Sequence, residues 1–182
     1  MLYLILIALC ATQAYIIRHL AIDPGFNIKT RAAGELTMLL SLGRRDVVYG
    51  DIDHLGLIND ALTSGAQLGH DRFNAIMRSV FGQMRQADIA LVYGGDELRM
   101  LVKAGTGHGA AARLQQLLRS HPLTEAERAR LSERTGKEYI SITLGVASAR
   151  LDKRAALERA KRAVAAAKPK GVAGRRGVIV RT

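Results

Sequence analysis

Ile89-Ala90-Leu91-Val92-Tyr93-Gly94-Gly95-Asp96-Glu97-Leu98-Arg99-Met100-Leu101-Val102 decides the fold: two runs of strand character meet at a pair of glycines. A Gly-Gly link reads as a tight hairpin, because both turn positions need φ > 0 and glycine takes it without steric cost. The pattern predicts a strand on each side and places Asp96 and Glu97 at the tip. Glycine backbone lets a phosphate come close, and neighbouring carboxylates can hold the divalent cation that travels with it. Taken alone, the same stretch also fits a solvated β-turn with no chemistry.

A second acidic cluster upstream shifts that balance. Val47-Val48-Tyr49-Gly50-Asp51-Ile52-Asp53 is a strand ending in two acids, and period-two alternation puts Asp51 and Asp53 on one face. A strand-end carboxylate beside a hairpin carrying two more suits a two-metal nucleotidyl transfer, one ion activating a hydroxyl and the other steadying a triphosphate. Asp51-Ile52-Asp53-His54, Ile58-Asn59-Asp60 and Tyr93-Gly94-Gly95-Asp96-Glu97 occur in the order found in the GGDEF family of diguanylate cyclases. The chain resembles that family from about Asp23 to Val180.

The resemblance implies synthesis of cyclic di-GMP from two GTP with magnesium or manganese as cofactor, and a homodimer, since each site holds one nucleotide. It also implies roles, position by position. Asp51, Asp96 and the Ile52 carbonyl would hold metal, with Glu97 a further ligand or the group that deprotonates the attacking 3′-hydroxyl. Gly94 and Gly95 would lie against the nucleotide, Asn59 would hydrogen-bond the base, and Lys168 would hold the terminal phosphates. Arg85-Gln86-Ala87-Asp88 resembles the family's inhibitory site for the cyclic dinucleotide product, where arginine forks onto a phosphate or guanine edge and the carboxylate reads guanine N–H groups. A helix-terminal ion pair accounts for the same four residues without function.

The chain departs from the pattern chiefly around the base. Leu55-Gly56 replaces Phe-Lys after the Asp-x-Asp, and Leu98 replaces the phenylalanine of the signature. Gly65-Ala66-Gln67-Leu68-Gly69-His70 stands for the family's Gly-His-x-x-Gly-Asp with a shift of two residues. The guanine-reading aspartate is therefore absent, or its place is taken by His70 or Asp71. The arginine that partners Lys168 is displaced to Arg175 or Arg176.

The remaining chain fits an α+β fold, a mostly antiparallel palm-like sheet flanked by helices and preceded by an N-terminal hydrophobic helix. Thr30 caps a helix to about Leu42, and Ile58-Asn59-Asp60 begins a second after the Asp51 strand. Phe73, Ile76, Met77, Val80, Phe81 and Met84 form the stripe of another helix and belong to the core. Thr124 and Glu127 read as a capping box opening a charged helix, expected as a surface insertion. Asp152 caps the last long helix, and Gly177 to Val180 closes the sheet.

Met1 to Ile17 is nearly all apolar, short for a spanning helix but followed by Arg18 and His19. Residues 1–20 are expected to anchor the chain in the inner membrane, with the domain at 21–182 on the cytoplasmic side by the positive-inside rule. An amphipathic helix used for dimerisation is the other reading. No basic residue precedes the run, as a signal peptide would require, and Leu9 is bulky before Cys10 for a lipoprotein site. One cysteine excludes an intrachain disulfide framework. A net charge of +11 favours anionic partners, but no Trp, five Tyr and three Phe give no aromatic motif for nucleic acid, and none is expected as a partner. Three functions stay open: a cyclase, a degenerate domain that only binds GTP or cyclic di-GMP, and a palm-type enzyme making another cyclic nucleotide, as in phage defence.

Overall fold

The computed structural model describes Tyr3, Thr12 and residues 22–23, 28–84, 89–92, 95–149, 152–168 and 177–182. Among these, β1 (Ile22–Asp23), β2 (Ile28–Lys29), β3 (Arg45–Ile52), β4 (Ile89–Val92), β5 (Glu97–Lys103), β6 (Ile142–Ala149) and β7 (Ile179–Arg181) make one sheet in the order β1-β2-β4-β5-β3-β6-β7. The central strands β4-β5-β3-β6 are antiparallel throughout, and only the β2–β4 and β6–β7 pairings are parallel. This is the mostly antiparallel α+β sheet expected from the sequence.

Among the described residues six helices cover it: α1 (Arg31–Leu40), α2 (Leu55–Leu62), α3 (Gly69–Gly82), α4 (Gly107–Ser120), α5 (Glu125–Thr135) and α6 (Lys153–Ala167). Strand alternation sorts the core into two layers. Val48 and Ile52 of β3, Leu98, Met100 and Val102 of β5, and Ile142, Leu144 and Val146 of β6 pack under α2 to α5. Val47, Tyr49, Leu101, Ala147 and Ala149 face the other way, against Met38 of α1 and Ala156, Leu157, Ala160 and Val164 of α6. Each fully buried aliphatic side chain contributes about 1.5–3 kcal/mol. By the same alternation Asp51 and Glu97 fall on the α1–α6 side.

The approach of α6 is close. A Cβ at Gly145 of β6 would stand 2.3 Å from the Ala160 carbonyl oxygen, so only glycine lets the helix lie there. That contact carries the C-terminal end of α6 toward the end of β3. The expected caps are in place: Thr30 accepts from the Ala33 N–H, Asp152 from the Ala155 N–H, and Thr124 with Glu127 forms the full capping box.

Three expectations change. Helix α5 is no surface insertion: Leu131 is fully buried, Arg130 Nε donates to the Ala61 carbonyl at 2.7 Å, and Arg72 forks onto Glu127 at 2.7 and 3.2 Å. Its charged sequence disguises an anchor made by one leucine and two arginine contacts. Helix α2 begins at Leu55 rather than Ile58, because His54 takes a left-handed conformation, φ 59°, and turns the chain directly off β3. The turn after β4 is wider than two residues: Val92 pairs with Leu98, and Glu97 belongs to β5 instead of the tip. The hydrophobic segment at 1–20 lies outside the described residues apart from Tyr3 and Thr12. Among the described residues no helix is long and apolar enough to cross a membrane.

Candidate active site

Asp51 is the last but one residue of β3, and Glu97 opens β5 directly opposite it in the antiparallel register. Direct cross-strand partners share a face, so the two carboxylates stand side by side beneath the end of α6. The Ile52 N–H donates to the Asp96 carbonyl at 2.9 Å, fixing the Gly95–Asp96 turn against the end of β3. Asp96 and Gly95 are exposed, and Leu55 of α2 packs against Gly95. Lys168, the residue that ends α6, forms an ion pair with Asp51. Glu97 Oε2 is buried without a hydrogen-bond partner. No three His, Cys, Asp or Glu side chains among the described residues gather into a metal cluster. A divalent ion here would rest on the Asp51–Glu97 pair and oxygen donors of the adjoining backbone. The buried, unpartnered Glu97 oxygen fits that donor set, since a hard cation takes carboxylate and carbonyl oxygens together.

Tyr49 lies two residues back from Asp51 on the same face. Burial raises its pKa well above the ordinary value, and the nearby Glu97 carboxylate raises it further. Lys161 of α6 stands 5.7 Å from the centre of the Tyr49 ring. The sequence reading missed Tyr49, although the alternation that set Asp51 beneath α6 also sets Tyr49 there.

Asp53 has another task. It shares the Asp51 face, as expected, but is fully buried and taken up by structure. Its oxygens accept from Thr143 Oγ1 at 2.7 Å and from the Gly177 N–H at 3.2 Å, with Lys137 Nζ at 3.9 Å. This carboxylate fastens the start of the β7 segment to β3 and leaves no oxygen for a ligand.

The residues assigned to the base sit on the α2–α3 pair. Asn59 is on α2 with its Oδ1 buried and without a hydrogen-bond partner. Helix α3 starts hard against it: a Cβ at Gly69 would lie 1.6 Å from the Asn59 carbonyl oxygen. The two extra residues are absorbed before that point, in a turn where Ser64 and Gln67 exchange backbone hydrogen bonds of 3.1 and 3.0 Å. Gly69 thus stands where a glycine is required, and the next side chain is His70. His70 and Asp71 are both exposed and pair with each other at 3.1 Å. Gly94, Arg85, Asp88, Arg175 and Arg176 lie outside the described residues.

The model of the family described as diguanylate cyclase, GGDEF domain, matches residues 32–173. The chain belongs to the GGDEF-domain family. Its fold is similar to the coiled coil and GGDEF domain of DgcB from Caulobacter crescentus in complex with c-di-GMP, at 20% identity over 97% of this chain and 93% of that one, TM-score 0.70. It is also similar to a microbial GGDEF domain described for a novel interaction mode with cyclic di-GMP, at 25% identity, 92% and 99% coverage and TM-score 0.63. The GGDEF domain of PA1120 (TpbB or YfiN) from Pseudomonas aeruginosa matches at 25% identity, 88% and 93% coverage and TM-score 0.64. No curated protein sequence matches the chain.

Proposed function

We propose that this GGDEF domain is a diguanylate cyclase that joins two GTP molecules into cyclic di-GMP. The observation that carries the reading is the opposed Asp51–Glu97 pair, with one Glu97 oxygen buried and unpartnered. The relatives bound to c-di-GMP support the choice of product. Asp51, Asp96, Glu97 and the Ile52 carbonyl would hold magnesium or manganese, which supplies charge neutralisation at the triphosphate and a more acidic attacking hydroxyl. In each of two successive steps a 3′-oxygen bonds to the α-phosphorus of the other nucleotide, the α–β phosphate linkage breaks and pyrophosphate leaves. Where Glu97 does not ligate the metal, it takes the hydroxyl proton instead. Lys168 and Arg175 hold the terminal phosphates, Lys168 as a point charge. Gly94 and Gly95 let the nucleotide approach, and Asn59, with His70 or Asp71, meets the base.

Each site holds one nucleotide, so two domains meet face to face as a homodimer. Residues 1–17 hold the protein at the inner membrane with the domain on the cytoplasmic side. Incubating the full-length chain with GTP and magnesium should yield cyclic di-GMP by mass spectrometry, and Asp51→Asn should abolish it while leaving the thermal transition in place. A wild-type chain that binds cyclic di-GMP but forms no dinucleotide is a receptor, and the cyclase reading fails. Recovery of the full-length chain in the soluble fraction without detergent would remove the membrane anchor.

A further inference from the structure

Asp51 already has a cation. Lys168 Nζ forms an ion pair with Asp51 Oδ1, and the two side chains are only 13% and 19% exposed. Both partners stand on fixed backbone. Asp51 is held between two strands, opposite Glu97 of β5 and Thr143 of β6. Helix α6 is seated on Gly145, where the Ala160 carbonyl leaves no room for a Cβ. The Lys168 N–H donates to the Val164 carbonyl at 3.0 Å, so its backbone is tied to that helix.

A carboxylate shielded from water and matched by one cation accepts a second only at the expense of the first. A dication on either Asp51 oxygen would stand close to the ammonium, with little solvent between them to screen the repulsion. Glu97, directly opposite, has one oxygen buried and without a hydrogen-bond partner. One carboxylate of the proposed metal site is thus open, while the other is matched by a lysine.

We infer that Lys168 competes with the metal for Asp51 and leaves it when a phosphate offers the ammonium another partner. If Asp51 is a metal ligand of a cyclase, as proposed above, metal and triphosphate then favour each other, because each takes one half of the Lys168–Asp51 pair. Either ligand alone meets the pair closed.

The full-length chain is titrated with Mn²⁺ alone at fixed pH, and the free ion is followed by its paramagnetic resonance signal. No nucleotide is present, so turnover plays no part. Lys168→Met removes the charge but keeps most of the side chain's length, and should bind Mn²⁺ about tenfold tighter than the wild type. Lys168→Gln, which keeps a hydrogen-bond donor for Asp51 and so spares the fold, should share the gain. Lys161→Met removes a charge from the same helix about two turns earlier and should shift the affinity less than about twofold. The reciprocal arm uses GTP with a chelator: Asp51→Asn should bind it about fivefold tighter than the wild type, and Asp51→Asn combined with Lys168→Met should lose that gain. Mn²⁺ affinity unchanged in both Lys168 variants, an equal gain in Lys161→Met, or metal-free GTP bound alike by the wild type and Asp51→Asn overturns the competition. Asp51→Asn with Mn²⁺ separates the two failures. Where it loses the ion, the metal site stands and only the competition falls; where it binds as the wild type does, Asp51 is no ligand and both fall.

Discussion

Gly69→Ala tests how the base site is built. The added methyl would stand 1.6 Å from the Asn59 carbonyl oxygen and 2.5 Å from its carbon, both backbone atoms that cannot swing aside. Helix α3 must therefore move off α2. Overpacking of this kind costs about 1–3 kcal/mol. The shift also strains the Gly69 N–H bond to Thr63 Oγ1, 3.1 Å long in the wild type, a further 0.5–1.5 kcal/mol or so. A total of about 2–4 kcal/mol corresponds to a fall in Tm of roughly 5–12 °C for a chain of this length. Asn59 moves with the disturbed contact, so the hydrogen bond proposed between it and the base, about 1 kcal/mol, should be lost as a rise in KM for GTP of about fivefold. Calorimetry gives the first number and steady-state kinetics the second. A variant with wild-type Tm and wild-type KM would show that α3 does not seat on Asn59, and the placement of His70 beside the base would fall with it.

Three other outcomes are expected. Glu127→Gln removes the charge and turns one of the two acceptor oxygens of the Arg72 fork into an amide donor, both groups being largely buried, and should cost about 2–3 kcal/mol in urea denaturation at neutral pH. The Arg72 hydrogen bonds hold the Glu127 pKa below its ordinary 4.5, so its contribution is present above that pH and lost as pH falls through the lowered native value; the variant should lack this acid limb. His121, its pKa lowered first by burial and then by Arg72, adds an earlier limb in both proteins: the native state prefers it neutral, so stability declines as pH drops below 6.5. Arg85→Ala should relieve inhibition by added cyclic di-GMP, and unchanged sensitivity would reduce Arg85 and Asp88 to an ion pair. Supplied with each triphosphate singly and in pairs, the proposed cyclase should prefer GTP but also form adenine-containing dinucleotides; strict production of cyclic di-GMP refutes the relaxed selectivity.

What the sequence made legible was local. Thr30, Thr124 and Asp152 are read as caps because each acts on its own first turn, within three residues. The two acidic strand ends are likewise local signals, and their joint appearance carried the family. Register is not local. Glu97 was expected at a hairpin tip, and its place in β5 depends on hydrogen bonding to β3, from a segment far upstream. Helix α5 misled for a related reason: one buried leucine in a charged run makes no periodic stripe, so the burial of Leu131 depends on where α2 and α3 lie.

The base site shows the same division at finer grain. Counting residues finds an insertion of two between Asn59 and the next helix but cannot say where the chain absorbs it. Asp71 could come into place if the loop between Leu62 and Gly69 takes up the excess. The structure takes it up there, in the Ser64–Gln67 turn, and the steric demand at Gly69 pins the start of α3. His70 is thereby set at the position next to that glycine, and Asp71 one place further on, already engaged with His70. A neutral imidazole offers one acceptor, whereas guanine presents N1–H and N2–H₂ together. In the proposed cyclase Asn59 would still bond the base, but His70 alone would not reproduce the paired recognition that separates guanine from adenine by hydrogen bonding. The relaxed selectivity expected of that cyclase thus rests on two things together, the close seat of Gly69 on Asn59 and the side chain that follows it.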